Sequence, residues 1–184
     1  MVLDVLHLVV CAQPPHRNFC AKSEYRLAMA HLAVVGFPSL IVDDREFKRN
    51  KPSYTIDSLL SLRKELSADD QLFLVLGNDA FNHLDSWYRW RELLNYSHIL
   101  VLVRPNSNSA LSNELQEFVT QNLVTDPLAL EGPNGGIAFV QQTPRTMSST
   151  NIRARIAKGQ STKSLLVDSV CQYIRQHELY SSDI

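Results

Sequence analysis

The chain has 184 residues, of which 45% are hydrophobic and 20% charged, a composition typical of a folded globular protein that excludes an intrinsically disordered one. Domains of about 150 residues are common, so this length predicts a single domain over residues 1–184. The net charge of −1 argues against a strongly basic nucleic-acid-binding protein.

Five short, mostly apolar segments predict strands that are buried on both faces, as in a parallel sheet. In chain order they are Val5–Val10, Leu40–Val42, Leu72–Leu76, Ile99–Val103 and Ile137–Val140. The helical segments that alternate with them run from Ser23 to about Val35, from Thr55 to Leu66, around Phe81 and Leu84, over Ser112–Leu123, from Ser148 to about Gly159, and through Leu166, Val170 and Ile174. Ser23 and Thr55 are candidate N-caps. The alternation predicts an α/β fold with a parallel sheet.

Ligands of such sheets bind where loops leave the carboxyl ends of the strands. The residues that follow the five predicted strands include several cations and hydroxyl groups, which suit an anionic, phosphate-bearing ligand. They are Pro14–Arg17, Asp43–Arg45 with Lys48 and Arg49, Gly77–Asp79, Arg104 with Pro105, and Thr146–Arg153.

The segment from Ser148 to Arg153 is the most informative of these. A helix N-terminus has free backbone N–H groups and a positive dipole end, to which the serine and threonine hydroxyls and the Arg153 guanidinium would add donors. This combination suits a phosphate group, although the sequence has no G-x-x-x-x-G-K-[ST] loop. The alternative, which the segment alone favours, is ordinary capping of a helix.

Two other segments also have two interpretations. Gly77 at a strand end would let the backbone approach a ligand, with Asp79 as an acceptor, and the alternative is a tight turn followed by a helix cap. Trp87, Tyr88 and Trp90 would stack on a heteroaromatic ring. The alternative is packing in the core, which at least one of the two tryptophans should show.

The histidines and cysteines predict no metal site and no catalytic dyad. His16 follows two prolines and is either a phosphate donor or a surface residue, and His7 is expected to be an interior histidine with a hydrogen-bond partner. The three cysteines include no C-x-x-C pair, so neither a disulfide framework nor a zinc site is expected. We expect a cytoplasmic protein with no signal peptide and no membrane segment.

Seven segments, in this order, resemble the bacterial nicotinate-nucleotide adenylyltransferase family, and the resemblance extends from Leu3 to Tyr180. They are Pro14-Pro15-His16-Arg17, Asp43-Asp44-Arg45-Glu46-x-x-Arg49, Pro52-Ser53-Tyr54-Thr55-x-Asp57-x-Leu59, Leu76-Gly77-x-Asp79-Ala80-Phe81, Trp87-Tyr88-x-Trp90-x-Glu92-Leu93, Arg104-Pro105 and Ser148-Ser149-Thr150-x-Ile152-Arg153. Each motif is weak alone, but seven in order are specific.

The resemblance implies a Rossmann-like nucleotidyltransferase fold and a late step of NAD biosynthesis. The family transfers AMP from ATP to nicotinate mononucleotide, which gives nicotinate adenine dinucleotide and pyrophosphate, with Mg2+ accompanying ATP. The mononucleotide phosphate attacks the α-phosphorus of ATP in line, so positioning and charge stabilisation suffice without a covalent enzyme intermediate. ATP and nicotinate mononucleotide are the implied partners, and the oligomeric state is not predicted.

The resemblance also implies binding roles for individual residues. Those implied to bind ATP are Gly77, Asp79, Arg104, Ser148, Ser149, Thr150, Ile152 and Arg153. Those implied to lie near substrate phosphate are His16 and Arg17. Those implied to form the pocket for its nicotinate ring are Tyr54, Thr55, Trp87 and Tyr88.

The sequence departs from the family pattern at its start. The family opens with a strand, a G-x-F-D-P-x-H-x-G-H segment and a helix, and the two histidines bind ATP phosphates and stabilise the transition state. No such segment occurs in this sequence, so no catalytic residue is assigned and the fold is expected to lack the first βα unit of the family. That strand would lie between Val5–Val10 and Leu72–Leu76, whose facing edges would then be unpaired.

Three explanations of this departure stay open. The explanation we favour is that the chain is a fragment of an ordinary enzyme, or that its start site is misassigned. The second is that it is a truncated homologue that binds nucleotide without turnover. The third is that it is an interaction protein. In each case the chain as it stands, an N-terminally truncated domain, is expected to have negligible adenylyltransferase activity.

Overall fold

All strands in the described residues are paired in parallel, and they form two sheets. The structure is a computed structural model that describes residues 3–14, 21–103, 110–141 and 148–181. Strand β1 (Leu6–Val9) pairs with β2 (Leu40–Asp43), and β3 (Phe73–Gly77), β4 (His98–Val103) and β5 (Ile137–Gln141) form a second sheet in that order. The parallel α/β class is therefore confirmed.

Helices lie between the strands and after the last of them. The α-helices of the described residues are α1 (Ser23–Ala33), α2 (Thr55–Arg63), α3 (Asn78–Phe81), α4 (Asn113–Asn122), α5 (Ser149–Ala157) and α6 (Asp168–Gln176). Short 3-10 helices occupy Leu84–Ser86, Trp90–Asn95 and Pro127–Ala129.

The chain divides into two compact units. Unit 1 comprises Tyr54–Pro144 and holds β3, β4 and β5 with α2, α3 and α4. Unit 2 comprises Val2–Ser53 with Arg145–Ile184 and holds β1 and β2 with α1, α5 and α6. The single domain expected from the length stays a prediction. None of the helices in the described ranges has the length and apolar character needed to span a bilayer.

The core of unit 1 covers both faces of its sheet, with β4 at the centre. Successive side chains of a strand point to opposite faces, so Ile99 and Val101 face one side and Leu100 faces the other. Ile99 and Val101 are fully buried in a cluster that includes residues of α2, α3 and α4. Leu100 packs with Leu130 and Ala138 in a second cluster. Each fully buried side chain of this size contributes about 1.5–3 kcal/mol, so β4 stabilises unit 1 through both faces.

Strand β1 is less buried than the sequence predicts. Leu6 is half-buried, whereas His7, Leu8 and Val9 are exposed. A parallel strand is buried when other elements cover both its faces, but among the described residues β1 pairs with β2 alone. The expectation of a buried strand is therefore wrong for β1. In the ranges that the structure describes, β1 and β3 each have an unpaired edge, as expected, because they are edge strands of different sheets.

Two predicted helix caps are also wrong. A cap residue precedes the helix and accepts a hydrogen bond from its first turn. Ser23 and Thr55 are instead the first residues of α1 and α2, and the residues before them, Lys22 and Tyr54, form no side-chain cap bond. These helices begin one residue earlier than a cap at the hydroxyl residue would require.

Arg63 at the end of α2 connects three segments of unit 1. Its guanidinium donates to the backbone carbonyl oxygens of Tyr96 at 2.8 Å, Asp70 at 2.7 Å and Pro133 at 2.5 Å. The three carbonyls lie in different loops, and the Pro133 carbonyl also accepts from the backbone N–H of Leu72 at 3.2 Å.

Replacement of Arg63 with Met should keep much of the aliphatic volume and remove the three hydrogen bonds. A hydrogen bond contributes about 0.5–1.5 kcal/mol net, and water can replace the donor at the exposed Asp70 carbonyl, so we expect a loss of about 1–2 kcal/mol in the free energy of unfolding measured in urea. Lys64→Met, at the exposed next residue, is the control and should change stability by less than about 0.5 kcal/mol. Equal stability of the two variants would contradict this role.

Candidate functional site

Gly77 lies where β3 leads directly into α3. Its φ of −71° and ψ of 150° are values that any residue adopts, and a Cβ at this position would meet no described atom within 4 Å. Neither the backbone conformation nor packing therefore requires glycine here. The open space beside its backbone would admit a ligand at the carboxyl end of a strand.

Buried neighbours hold Asp79 at this edge of the sheet. Asn78 is 7% exposed and Phe81 is 1% exposed, and the Phe81 ring packs edge-on against Phe139 of β5 at 5.6 Å between centroids. Asp79 lies between them in the first turn of α3 and is itself exposed. The short helix therefore places Asp79 two residues after Gly77, at the carboxyl end of β3.

Tyr54 and Tyr88 form an aromatic pair at the start of α2. Their ring centroids are 4.6 Å apart and their planes are inclined by 38°. Tyr54 is half-buried and directly precedes Thr55, the first residue of the helix, whereas Tyr88 is 54% exposed. The structure thus brings together two rings that the family resemblance implies for the nicotinate pocket.

The two tryptophans of this segment differ in burial. Trp90 is 6% exposed and packs edge-on against Phe118, with 4.8 Å between ring centroids. The core interpretation is therefore confirmed for Trp90. Trp87 is half-buried and packs against the main cluster of unit 1, and it keeps some exposed surface.

Two hydrogen-bond donors next to the tyrosine pair have no partner within the part of the chain that the structure describes. They are the backbone N–H of Tyr88 and the hydroxyl of Thr55. Such donors suit a carboxylate, which accepts hydrogen bonds only. The aromatic pair and these donors together suit a planar ring that carries a negative charge.

Arg89 separates the exposed Tyr88 from the buried Trp90, and the sequence did not indicate it as a functional residue. Its φ of 54° and ψ of 37° are left-handed, a conformation uncommon for residues other than glycine. The exceptions are mostly asparagine and aspartate, so an arginine carries no sequence signal for this conformation.

Helix α5 in unit 2 begins at the segment predicted to bind phosphate. The Ser148 Oγ accepts from the backbone N–H of the third residue of α5 at 3.1 Å, which confirms the capping interpretation for this residue. The Arg153 guanidinium donates to Thr150 Oγ1 at 3.3 Å. Ser149 and Thr150 are exposed, and Ile152 is half-buried.

The charged side chains at the end of β2 and in the loop after it pair with other residues of unit 2. Asp43 accepts from the backbone N–H of Arg45 at 2.9 Å and from its Nε at 2.7 Å, and it lies 3.1 Å from His7 Nδ1. Burial raises the pKa of Asp43, but the hydrogen bonds from Arg45 and His7 outweigh it and hold the pKa below its ordinary value. His7 has the expected partner but is exposed rather than interior.

The residues implied to bind ATP therefore fall in both units. Gly77 and Asp79 belong to unit 1, and the segment Ser148–Arg153 belongs to unit 2. Three further residues of the implied site, His16, Arg17 and Arg104, lie outside the described residues.

Comparison with known proteins identifies the family. Residues 2–155 match the model of cytidylyltransferase-like proteins. Over 181 residues the chain is 54% identical to a Pseudomonas fluorescens protein named probable nicotinate-nucleotide adenylyltransferase, a match that covers 98% of this chain and 85% of that protein. The chain belongs to the nicotinate-nucleotide adenylyltransferase family.

Other comparisons agree with this membership. A Pseudomonas putida (strain W619) protein of the same name is 51% identical over 98% of this chain and 83% of its own length. The fold of this adenylyltransferase-family chain matches Plasmodium falciparum nicotinic acid mononucleotide adenylyltransferase complexed with NaAD, with a TM-score of 0.69 and 14% identity over 98% and 84% of the two chains. The resemblance and the nucleotidyltransferase fold that it implies are confirmed.

Gly77 and Gly136 form a matched pair for testing why glycine occupies each position. A Cβ at Gly136 would lie 2.4 Å from Leu130 Cδ2 and 3.3 Å from His98 Nδ1, whereas the space beside Gly77 is open. Gly136→Ala should lower the free energy of unfolding by about 1–3 kcal/mol through overpacking, and Gly77→Ala should change it by less than about 0.5 kcal/mol. A large loss in Gly77→Ala, measured by urea unfolding, would show that the fold itself requires that glycine.

Asp43 should make the stability of unit 2 depend on pH. Its pKa in the folded chain lies below the ordinary value of 3.8, so ionised Asp43 stabilises the fold above pH 3.8, and this contribution is lost as the pH falls through the folded pKa. The melting temperature of Asp43→Asn should therefore lie below that of the wild type at about pH 7 and approach it in strong acid. An equal difference at both pH values, in thermal melts followed by circular dichroism, would contradict this assignment.

Proposed function

We propose that the chain binds nicotinate mononucleotide and ATP and joins them into nicotinate adenine dinucleotide with release of pyrophosphate. The observation that carries the proposal is the 54% identity, over 98% of the chain, to a relative named probable nicotinate-nucleotide adenylyltransferase. A cytoplasmic location and a place in NAD biosynthesis follow from the same proposal.

The aromatic pair of unit 1 would hold the nicotinate ring. Tyr88 is 54% exposed, so the pyridine ring of the substrate would stack on its open face, an arrangement worth about 0.5–1.5 kcal/mol beyond surface burial. The Tyr88 N–H and the Thr55 hydroxyl would donate to the nicotinate carboxylate, and hydrogen bonds to a charged acceptor are the stronger kind. The uncharged amide of nicotinamide mononucleotide would bind less well.

The ATP phosphates would lie at the start of α5, where the hydroxyls of Ser149 and Thr150, the first backbone N–H groups and Arg153 offer donors. Taken by itself, unit 1 has Gly77 and Asp79 as the residues that the family resemblance implies for nucleotide binding. A phosphate oxygen of the mononucleotide attacks the α-phosphorus of ATP and forms the new P–O bond, while the bond to the β-phosphate oxygen breaks and pyrophosphate leaves. Positioning and cationic stabilisation suffice for this displacement.

Mg2+ is proposed to enter with ATP. Within the described ranges, no three His, Cys, Asp or Glu side chains cluster as a metal site. Protein-bound Mg2+ commonly takes substrate phosphates, waters and one or two carboxylates as ligands, so the ATP phosphates would be its main support. When bound, it would neutralise phosphate charge.

A second candidate is a nucleotide-binding protein without turnover. Both candidates use the same substrate pocket and differ only in product formation.

Titration calorimetry with nicotinate mononucleotide tests the shared pocket. Tyr88→Ala should weaken binding by about tenfold through loss of stacking, and Tyr88→Phe, which keeps the ring, should retain it. Nicotinamide mononucleotide should bind more weakly than the nicotinate form. Pyrophosphate release from ATP then separates the two candidates, because only the transferase produces it. Absence of heat from nicotinate mononucleotide would reject both.

A further inference from the structure

We propose that unit 2 has a further small-molecule site, a cavity between the end of α5 and α6 that binds a small organic phosphate monoester. The cavity has a volume of about 320 Å³ and is lined by Ile156 of α5, the loop 159–163 and one face of α6. A cavity of about 150 Å³ suffices for benzene, and ligand pockets commonly measure about 300–1,000 Å³. This one therefore has room for one aromatic ring together with a phosphate group.

The first observation is the position of the cavity along α5. The segment predicted to bind ATP phosphates lies at the start of this helix, whereas Ile156 lies near its end. An α-helix rises about 1.5 Å per residue, so the two ends of α5 lie about 12 Å apart. The cavity is therefore a separate site from the start of α5, and none of the residues that line it is among those implied to bind the substrates.

The second observation is the apolar floor of the cavity. Cys171 and Ile174, three residues apart on α6, are each 5% exposed, and they are the most buried of the lining residues. The half-buried Ile156 adds to this apolar surface. Cys171 Sγ lies 3.5 Å from Thr162 Oγ1, so the loop that forms one wall is in direct contact with the floor. Such a floor favours a ligand with an apolar group over a bare ion.

The third observation is the charge at the opening of the cavity. Lys163 and Arg175 are exposed cations of the lining, and no lining residue is acidic. Within the described residues, the Lys163 ammonium forms no ion pair or hydrogen bond, and Arg175 bonds only through Nε, which donates to the Cys171 carbonyl oxygen at 3.2 Å. The sequence from Ser148 to Val167 contains no aspartate or glutamate. Two free cations suit a phosphate monoester, whose charge is about −1.5 to −2 at pH 7.

The fourth observation is that the loop wall is held in place without a ligand. Gly159 has a φ of 64°, the left-handed conformation with which helices commonly end. Arg155 Nη2 donates to the Ser161 carbonyl oxygen at 3.3 Å, and the Thr162 carbonyl oxygen accepts from the Leu165 N–H at 2.9 Å. A ligand therefore meets a preformed wall, which lowers the entropic cost of binding.

The competing explanation is an ordinary surface depression beside two solvated cations. Such a surface attracts any anion by charge alone, so three probes separate the two explanations: phenyl phosphate, inorganic phosphate and phenol. Lys163→Gln combined with Arg175→Gln removes both cations of the lining. Lys22→Gln combined with Lys64→Gln is the matched control, because both lysines are exposed, lie outside the lining and carry the same total charge.

Nuclear magnetic resonance titration of the full chain with these probes tests the proposal. Phenyl phosphate should bind with a Kd of about 1 mM and shift the backbone amides of the loop 159–163 and the methyl groups of Ile174. Inorganic phosphate and phenol should each bind at least about tenfold more weakly. The lining double variant should weaken phenyl phosphate binding by about tenfold, and the control double variant should change it by less than about twofold.

Three outcomes would overturn the proposal. Equal affinity for phenyl phosphate and inorganic phosphate would mean an adventitious ion only. Equal affinity of the two double variants would mean that the lining cations do not hold the ligand, and shifts confined to the start of α5 would place the probe at the phosphate segment instead. Neither ATP nor nicotinate mononucleotide takes part, so the result is independent of whether the chain has the proposed transferase activity.

Discussion

Burial of β4 from both faces is the constraint on which unit 1 depends. Ile99 and Val101 face the cluster that also contains Trp90 and Leu93, so the segment immediately before β4 is fixed to the core. Tyr88 precedes that anchored segment and stays at the surface beside Tyr54. The aromatic pair is therefore held by the packing of its neighbours, and a ligand that stacks on Tyr88 meets a preformed surface.

The sequence predicts the strands of unit 1 well because apolar runs bounded by turn residues suffice for a strand buried on both faces. β4 and β5 occur within one residue of the predicted bounds. The same reasoning is wrong for the burial of β1, whose composition is similar. Burial depends on which elements cover a strand, and local composition does not encode that.

The candidate site likewise has features that the sequence predicts and features that depend on non-local packing. The order of the motifs identifies the family and points to Tyr54 and Tyr88, which the structure brings into contact. Ser148 caps α5, and ordinary helix capping is the alternative to phosphate binding that the sequence predicts for this residue. The left-handed conformation of Arg89 could not be predicted, because it arises from the packing of Trp90 and the ion pair with Glu92 rather than from the preference of arginine.

The most direct test of the aromatic site is a crystal structure of the chain with nicotinate mononucleotide. The site described here predicts the pyridine ring in van der Waals contact with the Tyr88 ring and the carboxylate hydrogen-bonded to the Tyr88 N–H. A ring bound elsewhere on the chain, with neither Tyr88 nor Thr55 in contact with it, would contradict the assignment of this site.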